Sequence, residues 1–216
     1  MEFSLPELNN VLGDIKNLSE GERDFLNFKN ISIDSRTLLK NDLFIAIKGK
    51  NFDGHIFLPE VLNKGVKSVV IKEGMQKLLP RNFPYWVVSD TLEAFQKLTL
   101  LKRKKLNIPL VAITGSVGKT TTKEMIGEVL KKLGKIKLSH ANFNNEFGVG
   151  LTILETDIED NVLVLEMGMR GLGQIENLSK YSEPDIAVIT NIGTAHIGLL
   201  GSKKILLMQS VKLVNF

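Results

Sequence analysis

The stretch that says most about chemistry runs from Ile113 to Thr122, Ile-Thr-Gly-Ser-Val-Gly-Lys-Thr-Thr-Thr. An apolar strand breaks here into Gly115-x-x-Gly118-Lys119-Thr120 and continues as a helix. Glycines let the backbone turn tightly enough for several N–H groups to face one anion, and the helix that follows adds its positive end. Lys119 would set an ammonium against β and γ phosphates, and the Thr120 hydroxyl suits a Mg²⁺ that keeps most of its waters. The loop is two residues shorter than the general G-x-x-x-x-G-K-[ST] pattern, unless Ala112 or Ile113 stands at the first glycine's place. A glycine turn that only caps a helix is the plain alternative. The strand before it, the Lys-Thr pair and the amphipathic helix after it favour nucleotide binding.

Ligands of open parallel sheets gather beyond the carboxyl ends of the strands, and further polar residues of this region fall there. Glu166 ends the apolar run Val162-Leu-Val-Leu165 and could hold Mg²⁺ directly or through water, or cap the next helix; the phosphate loop favours the metal. Thr190-Asn-Ile-Gly-Thr-Ala-His196 follows the next strand and brings one imidazole to the same edge. Ser139 to Gly148 is rich in amides, which can bind a polar substrate or simply make turns. His140 reads as a surface residue.

Behind these residues stand two blocks, residues 1–106 and 107–216, parted where a basic helix end meets Pro109. In the first, 42–47, 68–71 and 85–88 read as strands, with helical spacing at Phe57, Val61 and Leu62 and again over Thr91–Lys105, where Leu92, Phe95, Leu98 and Leu101 form the apolar stripe. In the second, strands at 110–114, 161–166 and 185–190 alternate with helices at 119–133 and 172–181. Such alternation, with continuously apolar strands, implies a parallel sheet with crossover helices. The fold class is therefore α/β.

A length of 216 residues, 43% hydrophobic and 24% charged, excludes a disordered chain. No apolar run is long enough for a membrane span, and acidic Glu2 stands where a secretory signal would be basic, so a cytoplasmic location is expected. Cysteine is absent, which removes disulfides and thiolate metal sites. The net charge of +4 is scattered except at Lys102 to Lys105, read as a solvated helix end, so no nucleic-acid partner is expected.

The order of these motifs resembles the Mur ligase family. It is carried by Thr114-Gly-Ser-Val-Gly-Lys-Thr-Thr121, Asn142-Phe-Asn-Asn-Glu-Phe-Gly-Val149 with Leu151-Thr152, Leu165-Glu-Met-Gly168, and Ile189-Thr-Asn-Ile-Gly193 through Ala195-His-Ile197 to Gly201-Ser202. The first block adds Ile33-Asp-Ser-Arg36, Asp42-Leu-Phe44, Gly49 and Asp53-Gly-His55. The likeness spans about Ile31 to Lys204; the asparagine stretch and the Ala-His…Gly-Ser ending are similar to the D-alanyl-D-alanine-adding branch, with the tripeptide-forming branch as the nearest rival. It implies a small α/β UDP-sugar-binding domain followed by an incomplete P-loop parallel-sheet ATPase domain. Gly115, Ser116, Val117, Gly118, Lys119, Thr120 and Thr121 would cradle ATP phosphates. Thr120 and Glu166 would hold one Mg²⁺ and His196 a second, with Lys119, Glu166 and His196 as the catalytic set. Ser35 and Arg36 would lie near the uridine diphosphate, and Asn144 and Asn145 would line the cleft. The implied substrates are UDP-MurNAc-tripeptide and D-Ala-D-Ala, taken by a monomer.

Two departures bear on this expectation. Val117 replaces the asparagine common in the family loop, a change that a backbone-lined site should tolerate. Family members also run about twice as long and carry a carbamate-forming lysine where this chain has Ser210; Lys212 lies two residues off, a helical rotation of about 200°. Back-translating Lys203 to Ser210 with A/T-rich codons gives a neighbouring frame, Lys-Asn-Ile-Ala-Tyr-Ala-Lys, that restores the pattern. The tail from Ile205 is therefore expected to reflect a lost base or a fragment boundary, and the chain alone is expected to be a poor ligase with uncovered sheet edges.

Overall fold

The computed structural model describes residues 2–49, 51–140, 143–193 and 202–214. The chain divides into two compact units, Met1–Leu98 and Thr99–Phe216.

In the first unit β3 (Asn30–Ser32), β4 (Asp42–Ile45), β5 (Val69–Lys72) and β6 (Tyr85–Val88) form a four-stranded sheet in that order, every pair parallel. β4 is buried along its whole length, as a strand covered on both faces must be. Leu58 and Val61 of α2 (Leu58–Asn63) close one face with Leu38, Phe44, Val66, Val69 and Ile71. Phe3 and Phe28, on the small antiparallel pair β1 (Phe3–Ser4) and β2 (Asn27–Phe28), are also buried. Trp86 meets Phe28 edge to face at 5.8 Å and donates its indole N–H to Asn9 Oδ1 at 3.0 Å on α1 (Leu5–Leu12).

The Asp53-Gly-His55 motif is held by the fold itself. Asp53 accepts from His55 N and from His55 Nδ1 at 2.6 Å, while His55 Nε2 accepts from Lys72 N at 3.0 Å, so one buried imidazole ties the turn to β5. Gly54 is required because a Cβ there would stand 2.9 Å from Ile47 N.

In the second unit β10 (Ile186–Ile189), β7 (Leu110–Thr114), β9 (Val162–Glu166) and β8 (Ile136–Leu138) make a parallel sheet in that order. β7 and β9 are fully buried. α4 (Lys119–Leu130) presents Ile126 and Leu130 to Val111, Ile113, Val162 and Val164. α5 (Glu146–Glu155), α6 (Gln174–Ser182) and α7 (Lys203–Val211) complete the unit. The buried Tyr181 phenol, pushed well above its ordinary value by burial, donates to Glu146 O at 2.9 Å and ties α6 to α5. Among the described residues no helix is long and apolar enough to cross a membrane.

The expectation of a solvated end at Lys102–Lys105 is corrected. In α3 (Thr91–Lys105) Lys102 and Arg103 are buried, and the stripe runs through Phe95, Leu98 and Lys102 while Leu101 is half-exposed. Arg103 donates to the carbonyls of Ser182, Glu183, Leu106 and Ile108 and pairs with Asp185 at 2.7 Å. A guanidinium that satisfies several orphan carbonyls at once offsets its own desolvation. The compact units accordingly part inside this helix, between Leu98 and Thr99.

Burial pushes the Asp53 carboxyl up, but hydrogen bonds from Lys48 and His55 outweigh it and hold the group down at about 2. A carboxylate lowered on folding stabilises above its unfolded value of about 4, and that contribution is lost as pH falls through about 2. Asp53→Asn should cost about 1–2 kcal/mol at neutral pH, after discounting for partial exposure, and flatten the acid limb. Urea unfolding at stepped pH measures both; an unchanged acid limb would contradict this account.

Candidate nucleotide site

β7 ends at Thr114, and the chain must then clear the end of β10, which pairs Ile189 with Thr114. Gly115, at φ +135°, makes this possible: a Cβ there would lie 2.2 Å from Thr190 Oγ1 and 3.0 Å from Asn191 O. The loop is then braced by the segment after β10. Ser116 N donates to Asn191 O at 3.1 Å, Val117 N to Asn191 Oδ1 at 3.0 Å, and Gly193 N to Ser116 Oγ at 3.0 Å. Thr190 Oγ1 donates to Val117 O at 2.7 Å.

With Ser116 and Val117 engaged in this way, the amides left for an anion begin at Gly118. Gly118 is the left-handed N-cap of α4, at φ 86°, and no side chain caps the helix. The first turn of a helix has no intrahelical partners for its N–H groups, so a side-chain-free cap leaves them for a ligand. Lys119 Nζ folds back to donate to Gly115 O at 2.8 Å. Thr120 and Thr121 follow at the exposed mouth.

Facing them is Glu166, the last residue of β9, buried and aligned with Ile113 in the sheet register. Thr120 Oγ1 donates to its Oε2 at 2.6 Å and Asn144 Nδ2 to its Oε1 at 2.9 Å. These are hard oxygen donors of the kind Mg²⁺ takes, and one carboxylate with a hydroxyl suffices where phosphates and waters complete the shell. No cluster of three His, Asp or Glu side chains occurs among the described residues, so a divalent ion here would lean on its nucleotide. Gly115, Ser116 and Lys119 of the loop, with Asn144, border a cavity of about 760 Å³ that reaches Asn145, Arg170, Gln174 and Asn177.

The expected residues other than His196 each have a definite place. Gly115 through Thr121, Glu166 and Asn144 are brought together; Asn144 holds the carboxylate, and Asn145 caps α5 by accepting from Gly148 N at 2.9 Å. His196 lies outside the described residues. Ser35 and Arg36 belong to the first unit, where Ser35 donates to Glu60 at 3.2 Å and Arg36 pairs with Asp34 at 2.6 Å in the open. Lys212 pairs with Glu176 of α6 at 3.6 Å. Asn191, Ser139 and Lys123 were not singled out from sequence. Asn191 and Ser139 stand within stretches already noted at the strand ends, and Lys123 lies one turn after Thr120 on its helix.

The description "Mur ligase family, catalytic domain" matches residues 27–115 and "Mur ligase middle domain" residues 113–216. The chain belongs to the Mur ligase family. Among its Mur ligase relatives, the UDP-N-acetylmuramoyl-tripeptide–D-alanyl-D-alanine ligase of Synechocystis is 44% identical over 196 residues, 91% of this chain and 42% of that protein. A crystal structure of MurF from Acinetobacter baumannii superposes with TM-score 0.87 at 30% identity, covering 100% of this chain and 46% of its own. MurF ligase from Thermotoga maritima in complex with ADP gives TM-score 0.76 at 31% identity, covering 86% of this chain and 42% of that one. This Mur ligase chain thus spans less than half the length of these relatives.

The crowding at Gly115 makes a sharp prediction. Gly115→Ala should destabilise the protein by about 2 kcal/mol or more, since it combines an unfavourable φ with a clash against backbone. Gly171→Ala, whose Cβ would meet only Gln174 side-chain atoms at 3.9 Å, should be nearly neutral. Denaturant midpoints of the two variants check this, and equal stabilities would contradict it.

Proposed function

We propose that this chain carries the nucleotide- and UDP-sugar-binding parts of an ATP-dependent ligase that joins D-Ala-D-Ala to UDP-MurNAc-tripeptide. The observation that carries the reading is the 2.6 Å contact of Thr120 with Glu166 at the mouth of an uncapped glycine loop. The names of the relatives supply the substrates, and the ADP held by the Thermotoga protein supplies the nucleotide.

The chemistry suits the parts. A carboxylate is a poor electrophile, so one of its oxygens attacks the γ-phosphorus of ATP, the bond to the bridging oxygen breaks, and ADP departs. The D-Ala-D-Ala amine then adds to the acyl carbon of the resulting acyl phosphate. Phosphate leaves as the C–O bond breaks, and the nitrogen gives up a proton. In the first step the amides of Gly118–Thr121 hold phosphate oxygens, and the Lys119 ammonium swings from Gly115 O to the triphosphate to offset its charge. Glu166 and Thr120 would seat a Mg²⁺, which when bound draws charge from the phosphoryl oxygens. His196 is assigned to a second ion on the resemblance. Ser35 and Arg36, with the loop after β3, are proposed to receive the uridine diphosphate; Arg36 would exchange Asp34 for phosphate.

Calorimetric titrations with ADP and with UDP-MurNAc-tripeptide separate the two activities. Lys119→Ala should weaken ADP by about tenfold or more, as expected for a lost charge-assisted contact, and leave the UDP-sugar peptide unaffected. Arg36→Ala should do the reverse. ADP affinity indifferent to Lys119 would overturn the nucleotide assignment.

A further inference from the structure

Lys123 is a lysine with 1% of its surface exposed, and none of the chemistry above uses it. A buried ammonium is costly unless it is well partnered. Its nitrogen donates to Ser139 O at 2.8 Å and pairs with Glu124 at 3.0 Å, whose own side chain is largely in solvent. The meaning lies in what Ser139 does. β8 stops at Leu138, and Ser139 N still donates to Val164 O of β9 at 2.9 Å. The next rung is made by side chains: Glu166 N donates to Ser139 Oγ at 2.9 Å, and the Ser139 carbonyl takes Lys123. Two backbone groups that the end of a short strand would leave orphaned in the interior are therefore satisfied, one by a hydroxyl and one by an ammonium.

Both arms of this arrangement converge on Glu166. Ser139 Oγ fixes its backbone. Ser139 is also where the chain leaves the sheet toward Asn144, which donates to Glu166 Oε1 at 2.9 Å and accepts from Gly168 N at 2.7 Å. Thr120, one turn before Lys123 on α4, holds the other carboxylate oxygen. We propose that Lys123 and Ser139 are positioning residues that set the Glu166 carboxylate for a divalent cation, so that they govern metal dependence rather than nucleotide affinity as such. The inference rests on the nucleotide-site reading above. Outer-shell partners of this kind typically change metal affinity by about 10–100-fold.

The test is binding of a fluorescent ADP analogue to the whole chain, with and without Mg²⁺, for wild type, Lys123→Met, Ser139→Ala and Ser139→Thr. Lys123→Met and Ser139→Ala should raise the Mg²⁺ concentration needed to tighten nucleotide binding by about tenfold, leave Mg²⁺-free affinity unchanged, and be rescued at position 139 by threonine. If Lys123→Met does not fold, the Ser139 pair carries the comparison. Unchanged Mg²⁺ dependence in a folded Ser139→Ala, or an equal loss of affinity with and without Mg²⁺, overturns the positioning role while leaving the nucleotide site standing. A wild-type chain that binds no nucleotide overturns both.

Discussion

Three strand ends have to finish at one level for this site to exist. The parallel register does it: Ile113 sits beside Glu166 and Thr114 beside Ile189, so β9 delivers its carboxylate, β7 its glycine loop and β10 its brace to the same edge. β7 and β9, buried along their length, resist slippage, because a shift by one residue would exchange every inward side chain for its neighbour. Functional groups set on such strands inherit that rigidity, whereas the same groups on long loops would not.

The loop itself is held by crowding as much as by hydrogen bonds. Gly115 has no room for any side chain, and Asn191 takes up two amides with one residue, using its backbone and its side-chain oxygens. Such bracing fixes the positions of the amides that remain at the start of α4 before any ligand arrives. A site whose donors are set in advance loses little ordering entropy on binding. Glu166 is treated likewise, with an acceptor on its amide and a donor on each carboxylate oxygen. The first unit follows the same logic at a different place, where a buried imidazole joins Asp53 to the backbone of β5.

Much of this was legible in sequence, and the failures have physical reasons. β7 and β9 were readable because apolar runs bounded by polar residues mark doubly covered strands, β10 was readable by the same pattern although it is an edge strand left partly exposed, and α4 announced itself by Lys-Thr after two glycines. β8 escaped because Ile136–Leu138 has a lysine in its centre, as an edge strand can. α5 hid behind asparagines that looked like a connection, although Asn145 is its cap. Lys102 and Arg103 misled because charge reads as solvent until the fold that buries them is known, with Arg103 turned onto orphan carbonyls. Asn144 borders the cavity, as expected, and also steadies Glu166, a role no local pattern encodes. Lys123 could have been noticed only as a cation on the inward face of its helix.

The central claim is that the amides of Gly118 to Thr121 are the phosphate-binding surface, held ready by the Asn191 brace. Backbone amide resonances of the ¹⁵N-labelled chain, followed as ADP and Mg²⁺ are added, test it directly. The account predicts that Gly118, Lys119, Thr120 and Thr121 show the largest shifts and the strongest gain in exchange protection. If those four amides stay put while the changes gather on another face of the unit, the glycine loop is a structural turn and the account is wrong.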